Sequence, residues 1–188
     1  MLILASASPR RAELLRQIGV DFETQVADID ESTRPNEAPL AYVQRMAREK
    51  AQKVAEQHPQ RWVLGSDTSV VLGDNILGKP NDRAHAIDML LSLAGQTHQV
   101  ITSVALAGPK QLEAHSISRV RFRNISRDEA EAYWATGEPA DKAGGYAVQG
   151  RAAVFIEHIA GSYSGIMGLP IFETAQLLEQ AELGRLGP

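Results

Sequence analysis

The sequence predicts an α/β fold in which a mixed central β-sheet is flanked by helices, in a single domain spanning residues 1–188. Short apolar runs typical of buried strands alternate along the chain with longer segments in which apolar residues recur at helical spacing. Neither a linker nor an internal repeat interrupts this alternation. With 44% hydrophobic and 22% charged residues, the composition is ordinary for one globular domain of this size.

The first half of the chain contains both kinds of segment. Residues 2–5 are predicted to form a buried strand, after which Ser8 as N-cap and Pro9 at the first helical position begin a helix that Gly19 ends. The elements predicted next are a strand at 22–26, a polar loop at 28–39, a helix at 41–57, strands at 62–66 and 69–72, and a hairpin turn at 73–75.

The second half continues the pattern. Ser126 and Glu129 form a capping-box signature, which indicates a helix at 126–135. The other predicted elements are a helix at 82–93, paired strands at 100–106 and 116–122, a glycine-rich loop, a strand at 153–159, a loop at 161–170 and a final helix to about residue 181.

Charge and composition exclude several classes of protein. The net charge of −4 argues against bulk nucleic-acid binding by charge, although a local basic cluster can still bind a small anion. The absence of cysteine removes disulfides and thiol nucleophiles. The apolar run at residues 2–5 is too short for a signal-peptide core, and nothing approaches the roughly 20 apolar residues of a membrane span. We therefore expect a cytoplasmic protein with no membrane or nucleic-acid partner.

The first candidate site is the strand-to-helix turn at residues 6–11. Free backbone N–H groups and the positive end of a helix dipole make such a turn a general anion site. Arg10 and Arg11 add positive charge in the first helical turn, where cations are unfavourable to the helix itself. Taken alone, the segment fits an ordinary capped helix with two solvated arginines slightly better than an anion site.

The second candidate is Asp67, in the segment Gly65-Ser66-Asp67-Thr68. Directly after a predicted buried strand, it is expected at the carboxyl edge of the sheet, where open α/β proteins place ligands. A carboxylate there can hold magnesium and orient or deprotonate water. The alternative is a turn aspartate that caps a neighbouring backbone group.

The remaining candidates are weaker when each is considered alone. Glu31, Lys50 and Lys79 are scattered charges of the kind usually found on a surface. The adjacent glycines in residues 141–150 permit close approach to a ligand, but this segment matches neither common phosphate-binding pattern. The five histidines show no metal-ligand spacing, and His98 or His158 is expected to be structural.

Together, these segments resemble the Maf family of nucleoside triphosphate pyrophosphatases, which is related in fold to the inosine-triphosphate pyrophosphatases (Ham1). The matching blocks occur in the family's order over nearly the whole chain. They include LASASPRR at residues 4–11 and GSDT at 65–68. The other blocks are residues 29–31, 48–51, 78–80, 92–98, 141–144, 149–150, 161–163 and 168–170.

The resemblance implies an active-site cleft between two lobes and a role for each matching residue. Asp67 corresponds to the proton acceptor that activates water. Arg10, Thr68 and Gln149 match positions that set base specificity, in the form of the dTTP/UTP branch. The polar lining of the cleft is matched by Ser6, Arg11, Glu31, Lys50 and Lys79. The family requires a divalent cation, Mg²⁺ or Mn²⁺, and its members are cytoplasmic and often homodimeric. That Glu31 joins Asp67 as a metal ligand is our own inference.

Two alternatives to a dTTP/UTP pyrophosphatase stay open. The 7-methyl-GTP-preferring branch of the family typically has tryptophan or a similar residue where Arg10 stands and glutamine where Thr68 stands. It also lacks the Tyr-x-x-Gln-Gly ending seen at residues 146–150. The other alternative is a nucleotide-binding regulator of cell division, in which hydrolysis is incidental. Asp67 favours an enzyme, because binding alone does not require an acid there.

Overall fold

The computed structural model describes residues 1–183, which form seven strands in one mixed sheet and six α-helices. The strands are β1 (Leu2–Leu4), β2 (Phe22–Thr24), β3 (Val63–Leu72), β4 (Asn75–Leu77), β5 (Thr97–Ala107), β6 (Gln111–Phe122) and β7 (Ile156–Ala160). The helices are α1 (Pro9–Gln17), α2 (Pro39–Ala55), α3 (Arg83–Leu93), α4 (Arg127–Trp134), α5 (Tyr163–Met167) and α6 (Ile171–Gln180).

The sheet has the strand order β2-β1-β3-β5-β6-β7. The first three strands run parallel, and β5, β6 and β7 continue the sheet in antiparallel pairs. β4 pairs antiparallel with the end of β3. The predicted mixed α/β architecture is therefore confirmed.

One edge of β3 opens in the middle. At one end β3 pairs with β1 through Val63 and Leu64, and at the other it pairs with β4 from Val70 onward. Among the described residues, no strand pairs with residues 65–69 on that edge, whereas β5 pairs along the whole opposite edge. The gap leaves the middle of a central strand accessible to a ligand.

Side chains on one face of the sheet form two hydrophobic clusters at opposite ends of the strands. Val70 and Val100 belong to the first cluster, together with residues of α3 and α4. Leu64 and Val104 belong to the second, together with residues of α1 and α6. Because side chains on one face of a strand recur every second residue, the polar strip between the clusters lies on this same face. That strip consists of Ser66 and Thr68 in β3 and Thr102 in β5.

Helix α2 packs against the opposite face of β3. A Cβ atom added at Gly65 would collide with the Ala47 carbonyl oxygen and would lie 2.7 Å from the Ala51 backbone nitrogen. Glycine at this position therefore allows the helix backbone to approach the strand closely. This close packing brings Lys50, on α2, to Asp67, on the same face of β3 as Gly65.

Four predicted elements differ from the structure. The strands predicted at 62–66 and 69–72 are one continuous strand, β3. The strand predicted at 153–159 begins only at residue 156, because Arg151–Phe155 forms a 3₁₀ helix. The predicted loop at 161–170 contains α5, which begins after Ser162 as N-cap.

Candidate active site

A cleft of about 620 Å³ opens at the gap in β3. Its volume lies within the range of small-molecule sites. All the candidate residues predicted from the sequence line it: Ser6, Arg10, Arg11, Glu31, Lys50, Asp67, Thr68, Lys79 and Gln149. Residues that are far apart in the chain therefore meet at one site.

Asp67 lies in the middle of β3, not after the strand as predicted. Its carboxylate oxygen Oδ1 accepts a hydrogen bond from Lys50 Nζ at 2.7 Å, and the same ammonium lies 3.0 Å from Glu31 Oε1. The side chains of Asp67 and Lys50 are only 10% and 11% exposed, whereas that of Glu31 is 56% exposed. Lys50 thus joins a buried and an exposed carboxylate.

The environment of Asp67 favours a proton acceptor. Burial raises the pKa of this carboxyl above its ordinary value, and the positive charges of Lys50 and Arg11 offset part of that increase. General-base catalysis is most effective when the pKa of the base lies near the working pH. The arrangement can therefore accept a proton from a water molecule placed in the cleft.

Arg11 lies on the opposite face of β3 from Lys50 and is held in a single orientation. Its Nε donates to the Gly168 carbonyl at 2.8 Å, while its two terminal nitrogens donate to Ser6 Oγ and Thr68 Oγ1, each at 3.2 Å. The N-cap of α1 is Ser8, whose Oγ accepts a hydrogen bond from the Arg11 amide. Arg11 therefore belongs to a polar network and is not a solvated surface residue.

Arg10 also forms a hydrogen bond to the end of α5, next to the carbonyl that Arg11 binds. Its Nε donates to the Met167 carbonyl at 3.3 Å. Adjacent backbone carbonyls at the end of α5, those of Met167 and Gly168, therefore hold the two arginines of the first helical turn. An ordinary capped helix with two solvated arginines does not require this positioning; the anion-site interpretation of residues 6–11 stays a prediction.

The glycine-rich loop forms another wall of the cleft. The loop is attached to the end of β4 through the Gly144 amide, which donates to the Gly78 carbonyl at 3.0 Å. The exposed Lys79 is the next residue. Tyr146 is buried and its hydroxyl lies 2.7 Å from His98 Nε2. Burial lowers the pKa of His98 to about 4, so this histidine is neutral and structural at pH 7, as predicted. Gln149 is exposed at the mouth of the cleft.

The chain is similar in sequence to known proteins. The family model described as "Maf-like protein" matches residues 1–181. The chain belongs to the Maf family. A relative named dTTP/UTP pyrophosphatase from Alkalilimnicola ehrlichii is 52% identical over 188 residues, covering 97% of this chain and 93% of the relative. Another with that name, from Myxococcus xanthus, is 50% identical over 183 residues, again covering 97% and 93%.

A distant structural likeness also exists. The Staphylococcus aureus Ham1 protein superimposes with a TM-score of 0.48 at 14% sequence identity, covering 65% of this Maf chain and 72% of that protein. No helix within residues 1–183 has the length and apolar character that crossing a membrane requires.

The donor set of this Maf chain fits a divalent cation supplied together with a nucleotide. Asp67 and Glu31 offer the hard carboxylate oxygens that Mg²⁺ and Mn²⁺ prefer, and both are within reach of one positive charge, that of Lys50. Within residues 1–183, no three carboxylate, histidine or cysteine side chains are grouped so that they could hold a metal ion by themselves. Mg²⁺ typically binds through one or two carboxylates together with substrate phosphates, and this pair satisfies that requirement.

Sequence reasoning missed the groups that hold the candidate residues in place. Thr102 Oγ1 lies 3.0 Å from Thr68 Oγ1 and donates to the Gly165 carbonyl at 2.7 Å. The loop that carries Glu31 is held by Arg45, which binds the Glu37 carboxylate through two nitrogens at 2.6 and 2.7 Å. The contacts of Thr102 join residues 34 and 63 positions apart, and Arg45 and Glu37 are separated by 8 positions, so none of these contacts belongs to a local motif.

A further contact on this loop is made by Tyr42, whose hydroxyl donates to the Glu31 carbonyl at 2.9 Å. A capping-type pattern could have indicated Ser162, but its role depends on α5, which was predicted as loop. The supporting groups therefore became visible only with the fold.

Proposed function

We propose that this Maf chain hydrolyses dTTP and UTP to the nucleoside monophosphate and pyrophosphate. The observation that carries the proposal is the buried Asp67 carboxylate at the gap in β3, with Lys50 on one face of the strand and Arg11 on the other. The names of the two relatives, at 50–52% identity over nearly the whole chain, support the same activity.

In the proposed reaction a water oxygen forms a bond to the α-phosphorus, and the bond from that phosphorus to the bridging oxygen of the β-phosphate breaks. Asp67 accepts the proton that the water loses, and pyrophosphate leaves with the electron pair of the broken bond. Asp67 must be ionised to act in this way, and the adjacent ammonium of Lys50 favours that form.

The cations of the cleft would stabilise the departing pyrophosphate. A nucleoside triphosphate carries about four negative charges, and the negative charge on the leaving group increases in the transition state. Arg11 is already oriented by its hydrogen bonds, so it would not have to reorganise during the reaction. Arg10 and Lys79 lie at the same cleft and would add positive charge.

A divalent cation, Mg²⁺ or Mn²⁺, would be held by Asp67 and Glu31 and would supply charge neutralisation at the phosphate oxygens. Lys50 lies between these two carboxylates and would keep them together before the cation and nucleotide arrive. We infer a cytoplasmic location for the enzyme, where free nucleoside triphosphates are its substrates.

Base selection would rest on Gln149 together with Arg10 and Thr68. The amide of Gln149 offers both donors and an acceptor, which can pair with the carbonyl–imide–carbonyl edge of uracil or thymine. Arg10 can donate toward carbonyl oxygens in a planar fork. The short side chain of Thr68 leaves room that a glutamine would fill. A polar site of this kind discriminates strongly, because the wrong base leaves donors without partners.

The test is a panel of dTTP, UTP, CTP, GTP and 7-methyl-GTP, with pyrophosphate and orthophosphate measured separately. We expect the highest kcat/KM for dTTP and UTP, with one pyrophosphate released per nucleotide. A preference for 7-methyl-GTP would assign the chain to the other branch of the family. Nucleotide binding without turnover at saturating Mg²⁺ would instead support the regulator.

A further inference from the structure

Both ends of the segment that carries Gln149 are tied to one carboxylate, that of Glu138. On the far side of Gln149, Glu138 Oε2 accepts the Arg151 amide at 3.0 Å and Oε1 lies 3.4 Å from the Ala152 amide. On the near side, Glu138 Oε1 accepts the hydroxyl of Tyr133 at 2.6 Å, and that hydroxyl in turn accepts the Ala147 amide at 3.2 Å.

Glu138 and Tyr133 are themselves held in place. Burial alone would raise the pKa of Glu138, but the hydrogen bonds from Tyr133 and the two amides lower it below its ordinary value, so the group is ionised at neutral pH. Tyr133 is 4% exposed, and its ring packs edge-on against Phe155 with the centroids 5.5 Å apart. Hydrogen bonds to a charged group are stronger than those between neutral groups.

The Glu138 carboxylate also explains why residue 150 is a glycine. A Cβ atom added there would collide with the carboxyl carbon and both oxygens of Glu138. The backbone next to Gln149 therefore runs directly against the Glu138 carboxylate. Any other residue at position 150 would displace either the backbone or the carboxylate.

Gln149 makes no side-chain hydrogen bond to any of residues 1–183 and is exposed at the cleft. The direction in which the Gln149 side chain leaves the main chain is therefore set by the backbone on either side of it. We propose that Glu138, together with Tyr133, is a positioning residue that sets the orientation of Gln149 and thereby the enzyme's preference for uracil over cytosine. This inference rests on the proposed function, because it takes Gln149 as a base-reading residue.

Glu138 and Tyr133 form an anchor for the segment around Gln149. Two variants remove hydrogen bonds of this anchor without removing much side-chain volume. Tyr133→Phe keeps the ring against Phe155 and leaves the Ala147 amide without its acceptor. Glu138→Gln keeps the size of the side chain. However, because both oxygens of Glu138 accept, the new amide group must face a donor, either the Arg151 amide or the Tyr133 hydroxyl.

The matched control is Glu129→Gln. Glu129 also accepts from a backbone amide, that of Ser126, and from a second side chain, that of Arg123. These bonds hold the start of α4, and Glu129 makes no hydrogen bond to residues 146–152. The control therefore separates the loss of a carboxylate near α4 from the loss of the anchor.

Two measurements test the proposal: the ratio of kcat/KM for UTP to that for CTP, and amide hydrogen exchange in peptides covering residues 146–152. We expect Glu138→Gln to lower the ratio about tenfold and Tyr133→Phe to lower it severalfold, with faster exchange in this segment for both variants. The Glu129→Gln control should keep both the ratio and the exchange of the wild type.

A ratio that stays within twofold of wild type while exchange accelerates would overturn the positioning role, as would unchanged exchange in both anchor variants. A wild-type enzyme with no preference for UTP over CTP would overturn the base assignment of Gln149 and this inference together. The wild-type measurement thus separates failure of the proposed function from failure of the anchor alone.

Discussion

Removing the charge of Lys50 should destabilise the protein by leaving Asp67 buried beside the cleft without its closest counter-charge. The two side chains are about 10% exposed and their charged atoms are 2.7 Å apart. Loss of one partner from a buried ion pair costs about 3–5 kcal/mol. Arg11 remains near Asp67, so we expect the lower end of that range, about 3 kcal/mol, for Lys50→Met.

For a domain of this size, about 1 kcal/mol lowers Tm by roughly 2–4 °C, so Lys50→Met should melt about 6–12 °C below wild type at pH 7. The matched control is Lys53→Met on the same helix. Its ion pair with Glu56 is longer, 3.8 Å, and exposed, so Tm should fall by no more than about 2 °C.

The pH dependence of this loss identifies the carboxylate responsible. Without the charge of Lys50, less of the effect of burial is offset, so the pKa of Asp67 rises further above its unfolded value. The folded protein then favours the protonated form. The Tm deficit should therefore grow as pH rises above the ordinary carboxyl pKa of about 4 and shrink as pH falls toward it. Adding Asp67→Asn to Lys50→Met should recover most of the deficit at pH 7. Equal melting of Lys50→Met and Lys53→Met, or no recovery in the double variant, would refute the reasoning.

Four other perturbations test separate parts of the site. Asp67→Asn should lower kcat by about 10²–10⁴ while circular-dichroism melting shows a folded protein; near-normal turnover would make Asp67 structural. Gln149→Glu should lower kcat/KM for UTP, because a carboxylate loses the amide donors and repels the uracil carbonyls; equality with wild type would contradict the base assignment. Gly168 has φ +123° and its carbonyl holds Arg11, so Gly168→Ala should cost about 1–3 kcal/mol in a melt and raise KM for UTP; an unchanged Tm and KM would refute this. EDTA should abolish turnover and excess Mg²⁺ restore it; activity in EDTA would exclude the role assigned to the Asp67 carboxylate with a metal.

The elements with strong local signals were predicted close to their observed bounds. Ser8 with Pro9, and Ser126 with Glu129, mark helix starts that the structure confirms. Such signals act within a few residues, so they are visible in the sequence without knowledge of the fold. The residues gathered at the cleft were also named from the sequence, through their family resemblance, although each alone had a simpler explanation.

The errors come from residues whose surroundings are set by distant parts of the chain. Asp67 and Thr68 look like a loop between two strands, because polar residues rarely occupy the middle of a buried strand. They can lie within β3 because, among residues 1–183, no strand pairs with one edge of β3 at this point, and because Lys50, Arg11 and Thr102 satisfy their polar atoms. The five-residue helix α5 is too short to show a periodic pattern. The apolar residues directly before β7 have the composition of a strand but form a 3₁₀ helix.

The most direct test of the proposed chemistry is hydrolysis of UTP in water enriched in ¹⁸O, with both products analysed by mass spectrometry. Attack of the water on the α-phosphorus places one ¹⁸O atom in UMP and none in pyrophosphate. The cations at the cleft, including the oriented Arg11, would then hold an unlabelled pyrophosphate leaving group. Label in pyrophosphate with none in UMP, or release of orthophosphate as the first product, would contradict the account.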